Sequence, residues 1–198
     1  MSIIPAFEIG LWNAWIFTVA FIVFHAGPTI VITQVSKDLK KRFSETPANP
    51  PYNKTERKIE ISAYVILCLL SIYSIFLPLP LGTLWFYTGL AIFIVGVIMS
   101  QIAGVPWATT PLEQPVTKGL YRYSRHPIYF AMFIQLIGVG IASASWLFLS
   151  LSIVFIILMN ILVKPEERFC CETYGNAYRE YMDRTPRWIG IPKSAKTL

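Results

Sequence analysis

Two short polar segments carry the side chains that could do chemistry in this sequence. The first is Arg125-His126-Pro127, at the end of a loop rich in basic residues and tyrosines. The second is the adjacent pair Glu166-Glu167, which follows a long uncharged stretch. Arginine and histidine can bind a carboxylate or a phosphate, and a glutamate can bind a cation or accept hydrogen bonds from a diol. A basic cluster beside an acidic pair predicts a ligand site.

The residue Pro127 is suited to the first turn of a helix, where its missing N–H costs no hydrogen bond. Arg125 and His126 would then lie at the positive end of the helix dipole, where a carboxylate or a phosphate binds readily. The alternative is that Arg125 and the neighbouring tyrosines only anchor the chain at a membrane surface.

The tail after Glu166-Glu167 can also be explained without a ligand site, as a helix on the membrane surface. Read as one continuous helix, it places five residues on one face, and this face would suit a helix lying on the membrane surface. These residues are Glu166, Cys170, Tyr174, Tyr178 and Tyr181. In that interpretation the acidic pair only complements the helix dipole.

The elements that must position these residues are apolar. The chain is 55% hydrophobic and 14% charged, whereas soluble domains carry roughly a quarter charged residues. We predict an all-α membrane protein of one domain, 1–198, with about five transmembrane helices and a cytoplasmic helical C-terminal tail. The predicted spans are about 11–33, 59–81, 84–103, 128–142 and 146–163.

The last two spans are predicted as a hairpin. Residues 128–163 carry no charge and would extend about 54 Å as one helix, longer than a hydrocarbon core of roughly 30 Å. We place the bend at Ser143-Ala144-Ser145. The fourth helix is then short, and whether it crosses the bilayer fully is left open.

The distribution of basic residues predicts the orientation. All 17 lysines and arginines lie at 37–58, 118–125 and 164–196, and such residues accumulate in cytoplasmic segments. The N-terminus is therefore expected outside and the C-terminus in the cytoplasm, with 104–127 and 164–198 forming a cytoplasmic cofactor region. The net charge of +6 is explained by this orientation, so we expect no nucleic acid; no obligate protein partner is evident from the sequence. The cysteines lack metal-ligand spacing, so we expect no metal.

The two polar segments together resemble a known family. The residues 119–129, the pair Glu166-Glu167, the run 174–181 and Pro186-Arg187 are similar to the isoprenylcysteine carboxyl methyltransferase and phospholipid methyltransferase group of membrane enzymes. The resemblance covers roughly 116–191 and implies S-adenosyl-L-methionine as cofactor. It further implies cofactor contacts at Val116, Tyr121, His126, Pro127, Ile128, Tyr129, Glu166 and Glu167.

The expected acceptor is a lipid or a lipidated molecule, methylated on a carboxyl or an amine group. A carboxylate needs a cation to orient it, and an amine must lose a proton to a general base, for which either Glu167 or Glu166 could serve if burial raised its pKa. We therefore predict Arg125 and Glu167 as catalytic residues. Leu162 stands where the isoprenylcysteine enzymes have an arginine, which weakens the implication of an isoprenylcysteine substrate.

Two other functions are left open. Membrane sterol reductases that use NADPH share the layout, but this chain has Ile128 and Phe130-Ala131 where their loop motif differs. A non-enzymatic carrier or scaffold would explain the hydrophobicity but not the acidic pair near Arg125-His126. His25, within the first span, is an ionisable group at membrane depth, and its role is also left open.

Overall fold

The fold consists of six α-helices in the residues that the structure describes. This computed structural model describes residues 8–35, of which 26–35 are described by their backbone alone, and residues 50–193. The helices are α1 Trp15–Val35, α2 Lys54–Ile75, α3 Leu84–Thr109, α4 Pro127–Ala142, α5 Trp146–Tyr174 and α6 Asn176–Arg184. A 3-10 helix covers Gly119–Arg122, and no strand occurs in the described part of the chain. The all-α class is confirmed.

Three of these helices are long and apolar enough to cross a membrane. They are α2, α3 and α5, whereas α4 and the part of α1 whose side chains are described, Trp15–His25, are shorter apolar helices. The chain is therefore a membrane protein. The basic segment 36–49 and the chain ends 1–7 and 194–198, which contribute to the predicted orientation, lie outside the described residues.

The second helix begins earlier than its predicted span because its start is capped. The Asn53 side chain accepts hydrogen bonds from the backbone N–H groups of Thr55 and Glu56, at 3.0 and 2.8 Å. The Glu56 carboxylate in turn accepts from the Asn53 backbone at 2.9 Å. Such a reciprocal capping box satisfies N–H groups that have no partner within the helix. It starts α2 at Lys54, in the polar segment before the apolar run.

The C-terminal tail is helical over most of 164–184, but it forms two helices and not the one helix on which the interpretation of its tyrosine spacing depends. The fifth helix ends at Tyr174, and Gly175 adopts φ 57° and ψ −131° before α6 begins at Asn176. Glycine has no Cβ and reaches this positive φ without the steric cost that other residues meet. The chain therefore changes direction at Gly175, and α6 packs back toward the end of α5.

The hairpin of α4 and α5 has its bend at the predicted residues 143–145. The Ser143 hydroxyl donates to the Val139 carbonyl at 2.8 Å, which closes the end of α4. The Ser145 hydroxyl accepts from the Phe148 backbone N–H at 3.2 Å and caps the start of α5. Because the two helices run in opposite directions, the start of α4 lies beside the polar end of α5.

The fourth helix packs backbone to backbone against α3. A Cβ atom added to Gly89 would lie 2.1 Å from the Ala142 nitrogen, and one added to Gly138 would lie 2.7 Å from the Phe93 nitrogen. Small residues allow such close approach, and van der Waals packing of this kind drives helix association in membranes. The contact holds α4, and with it the residues at its N-terminus, in a defined position.

We predict that Gly89→Ala lowers the stability of the protein in detergent. The added methyl group overlaps the backbone of α4, and overpacking of this kind costs about 1–3 kcal/mol. Thermal unfolding in detergent micelles measures the change. Gly104→Ala, on the same helix, is the control because a Cβ there meets nothing within 4 Å. Equal stability of the two variants would contradict the role given to the close contact.

Candidate active site

A single buried carboxylate lies at the centre of the polar residues. The Glu167 side chain is 4% exposed and accepts two hydrogen bonds from Arg187, Nε to Oε1 at 3.1 Å and Nη2 to Oε2 at 2.6 Å. Oε1 also lies 3.2 Å from Arg125 Nη2 and 3.2 Å from His126 Nε2. The sequence-predicted residues Arg125, His126 and Glu167 are thus in direct contact. We call Arg125, His126, Glu166, Glu167 and Arg187 the charged cluster.

The start of α4 positions the basic members of the charged cluster. His126 precedes the helix, Pro127 is its first residue and is fully buried, and the His126 backbone N–H donates to the Ser124 hydroxyl at 3.1 Å. A carboxylate or phosphate of a ligand is expected at this positive helix end. In the structure the Glu167 carboxylate of the chain itself lies against Arg125 and His126 there.

The neighbouring carboxylate, Glu166, has a different environment from that of Glu167. Its side chain is 20% exposed, and its Oε2 lies 3.9 Å from His126 Nδ1, a longer distance than any ion pair of Glu167. Glu166 also interacts with the Tyr129 hydroxyl. The rings of Tyr129 and His126 are stacked with centroids 5.8 Å apart. Of the two carboxylates, Glu166 is therefore the one with capacity for a further partner.

Arg187 is a member of the charged cluster that the sequence analysis did not predict as a site residue. It lies in 185–190, which we call the C-terminal strap. The strap is held by hydrogen bonds from the Arg125 backbone N–H to the Pro186 carbonyl and from the Gly190 N–H to the Tyr123 carbonyl, both 3.0 Å. Hydrogen bonding to Glu167 raises the pKa of Arg187 above its usual range. The family resemblance included Pro186-Arg187, but it did not indicate that Arg187 would contact Glu167.

Three further predicted residues belong to a separate aromatic cluster. Tyr121 is buried with Tyr178 and Tyr181, and Val116 and Ile128 pack at the edge of this group. The Tyr181 hydroxyl donates to the Tyr121 carbonyl at 2.7 Å, which ties α6 to the 3-10 helix. Burial raises the pKa of Tyr178 and of Tyr181 well above the usual range, so both remain neutral hydroxyl groups. The cluster supports the loop that carries Arg125.

His25 lies apart from both clusters. Its Nε2 is 3.2 Å from Gln135 Oε1 of α4, so it joins α1 to the helix bundle. Proline lacks an N–H, so Pro28 cannot donate to the carbonyl of Phe24 in the preceding turn. The structure places the Gln101 side chain there instead, donating to Phe24 at 2.8 Å.

Leu162 is buried in the hydrophobic core, at 4% exposure. No cation therefore occupies the position of the arginine that the resemblance would require for an isoprenylcysteine carboxylate. The guanidinium groups near Glu167 come instead from Arg125 and Arg187.

Comparison with known proteins agrees with the sequence resemblance. The phospholipid methyltransferase family matches residues 77–177, half of the chain, and the chain belongs to this family. A protein-S-isoprenylcysteine O-methyltransferase of Dictyostelium discoideum is 31% identical over 88 residues, which cover 39% of this chain and 32% of that protein. The chain thus matches about a third of the length of this curated relative. The Glu166-Glu167 pair lies within the family match, whereas Arg187 lies beyond it.

We predict that Arg187→Ala destabilises the protein by about 1–3 kcal/mol, because it removes two charge-assisted hydrogen bonds from a buried carboxylate. The midpoint of thermal unfolding in detergent measures the loss. Arg184→Ala is the control, since Arg184 is half exposed and pairs at 3.7 Å with the exposed Glu180; we expect a change within about 0.5 kcal/mol. A loss at Arg184 as large as that at Arg187 would contradict the special role of the Glu167 contact.

Proposed function

We propose that this protein is an S-adenosyl-L-methionine-dependent methyltransferase that acts on a lipid or lipidated acceptor at the cytoplasmic face of the membrane. The observation that carries the proposal is the contact between the Arg125-His126 turn and the Glu166-Glu167 pair, with His126 Nε2 3.2 Å from Glu167. Family membership and the name of the Dictyostelium relative support it. The predicted topology, five spans with the N-terminus outside, is part of this proposal.

The residues at the charged cluster fit the chemical groups of the cofactor. S-adenosyl-L-methionine has an ammonium, a carboxylate, a ribose diol and an adenine ring, and when bound it supplies an activated methyl group on a sulfonium. Glu166 is partly exposed and can accept hydrogen bonds from an ammonium or a diol. Tyr129 is partly exposed, so its ring can pack against an adenine ring or a cation, and it stacks on His126 on one side. We infer that Glu166, His126 and Tyr129 contact the cofactor directly.

The remaining predicted contacts receive supporting roles in this proposal. Pro127 and Ile128 form the start of α4, while Val116 and Tyr121 belong to the aromatic cluster behind the loop. They shape the wall on which the cofactor would lie, through packing and backbone groups.

We assign Glu167 a positioning role in place of the general base that the sequence analysis expects. A carboxylate that accepts hydrogen bonds from a guanidinium and lies beside a second one is stabilised as an anion and is a weak base. Glu167 instead holds Arg125, His126 and the C-terminal strap in place. Arg125 keeps a buried Nε without a hydrogen-bond partner among the described residues. It is therefore the group that we expect to orient a polar atom of the acceptor.

The transfer itself needs positioning more than acid–base chemistry. A carboxylate acceptor arrives ionised, so an arginine that orients it and a site that excludes water are sufficient. An amine acceptor needs a proton acceptor, and in this site Glu166 has the freer carboxylate. The carboxyl and the amine acceptor therefore depend on different residues, Arg125 for the first and Glu166 for the second.

We predict that S-adenosylhomocysteine raises the midpoint of thermal unfolding of the detergent-solubilised protein, because a ligand that binds only the folded state stabilises it. A ligand at one hundred times its Kd contributes about 2.7 kcal/mol. Glu166→Ala should remove most of this shift. Glu172→Ala, on the exposed side of the same helix, should leave it intact.

NADPH is the comparison ligand in this experiment. Stabilisation by NADPH alone would favour a reductase of the sterol reductase type and would overturn the methyltransferase proposal. A response to neither nucleotide would favour a carrier or scaffold. Transfer of a labelled methyl group from S-adenosyl-L-methionine into a lipid extract would then identify the acceptor.

A further inference from the structure

The C-terminal strap carries a tryptophan that reaches both helices of the hairpin. The Trp188 indole Nε1 donates to Asn160 Oδ1 of α5 at 3.0 Å. The Trp188 ring lies with its centroid 5.2 Å from Phe133 of α4 and 6.0 Å from His126. The indole therefore bridges α4 and α5 while remaining in contact with the charged cluster.

These contacts lie at two levels of the antiparallel hairpin. His126 and Glu167 face each other at the first level. Phe133 and Asn160 are each seven residues further into their helices, about 10 Å along the axis and close to the same helix face. The first level is charged, and the second lies in the apolar part of the bundle. Trp188 spans the distance between them.

The second level borders the apolar exterior of the bundle. Asn160 is exposed within an otherwise apolar stretch of α5, and its neighbours Ile157 and Ile161 are exposed as well. An exposed amide among residues that face lipid is costly unless it has a partner, and here the indole N–H supplies one. Phe133, on the other side of the indole, is 5% exposed. Trp188 thus separates the charged cluster from the membrane-facing surface between α4 and α5.

We propose that Trp188 is a specificity-determining residue of the acceptor site, forming the wall that the apolar chain of the acceptor packs against. This inference rests on the methyltransferase function proposed above. A lipid acceptor must bring its reactive group to the level of His126 while its chain stays at the level of Phe133 and Asn160. The indole lies between these levels, and its apolar ring with a single N–H suits such a boundary. The acceptor class is therefore an amphiphile whose hydrocarbon begins within about 10 Å of the methylated group.

The strap holds the indole in a defined position. A side chain that discriminates between acceptor chains must have such a fixed position. Ser124 donates from its hydroxyl to the Arg187 carbonyl at 3.3 Å, directly before Trp188. Arg187 is in turn bound to Glu167 through two hydrogen bonds. The backbone before and after the indole is thus tied to the loop that precedes Arg125, through Ser124 and, from Gly190, through Tyr123.

The test uses the full chain in detergent or lipid vesicles with two series of acceptors. One series is N-acetylcysteine carrying a geranyl, farnesyl or geranylgeranyl group, and the other is phosphatidylethanolamine with short or long acyl chains. Labelled methyl transfer gives kcat/KM for each acceptor. In Trp188→Ala we expect the ratio of long-chain to short-chain kcat/KM to rise about tenfold, as a pocket enlarged by a side chain discriminates less against bulk.

Two further variants separate selectivity from folding. Trp188→Phe keeps the ring and should retain most of the native chain preference, while Asn160→Leu should shift the preference in the same direction as Trp188→Ala. The stabilisation by S-adenosylhomocysteine should stay unchanged in all three. Trp85→Ala, at an exposed tryptophan of α3, is the matched control and should behave as the native protein.

Three results would overturn the inference. The first is an unchanged chain-length ratio in Trp188→Ala. The second is an equal fall in kcat/KM for every acceptor in Trp188→Phe as well as in Trp188→Ala, which would indicate a structural role. The third is a native protein that is stabilised by S-adenosylhomocysteine but methylates neither series. Failure of the proposed function has a different signature: the native protein shows neither stabilisation nor methyl transfer.

Discussion

The buried carboxylate of Glu167 constrains the arrangement of the whole polar end of this protein. A carboxylate that is 4% exposed needs several hydrogen bonds or ion pairs to offset the loss of its hydration. Arg125 and His126 come from the loop before α4, and Arg187 comes from the C-terminal strap. One side chain of α5 thus holds partners that lie 20 to 42 positions away from it in the sequence, on both sides. Arg125, His126 and Arg187 are thus gathered around one carboxylate.

Apolar packing in the helix bundle, which does not depend on charge, holds the partners of Glu167 close to its carboxylate. The contact of Gly89 and Gly138 brings α3 and α4 to backbone distance and so defines where α4 begins. On the other side, Arg168 makes two hydrogen bonds of 3.1 Å to Glu56, the residue that also completes the cap of α2. The ends of α2, α4 and α5 are therefore joined on one side of the bundle. A polar site forms there, beyond the apolar stretches of the long helices.

The two neighbouring glutamates show how one helix can provide different chemistry from adjacent positions. Successive residues of a helix point about 100° apart, so Glu167 contacts the guanidinium groups and His126 Nε2, while Glu166 lies beside Tyr129 and His126 Nδ1. Glu167 is an anion whose two carboxylate oxygens both have partners, and it joins the loop before α4 to the C-terminal strap. Glu166 retains partial exposure and can accept a ligand. The C-terminal strap adds Trp188 at the boundary between this polar end and the apolar exterior.

The sequence alone determined the properties that depend on nearby residues. Apolar stretches indicated the helices, the uncharged length of 128–163 required a bend, and Pro127 marked the start of α4. The Arg125-His126 turn and the Glu166-Glu167 pair were recognisable as local motifs. The cap at Asn53 and the helix break at Gly175 also have local causes. The predicted helix boundaries follow the apolar stretches, however, and therefore miss both.

Only the tertiary structure decided which polar groups meet. The hydrogen bonds of Arg187 to Glu167, Trp188 to Asn160 and Gln101 to the Phe24 carbonyl join residues 20 to 77 positions apart. Helical periodicity relates a residue to neighbours three or four positions away, and it carries no information about such distant pairs. The difference between Glu166 and Glu167 has the same origin. Their local sequence is nearly identical, and both lie beside His126. Their environments differ because Glu167 also contacts Arg125 and Arg187, whereas Glu166 lies beside Tyr129 and is partly exposed.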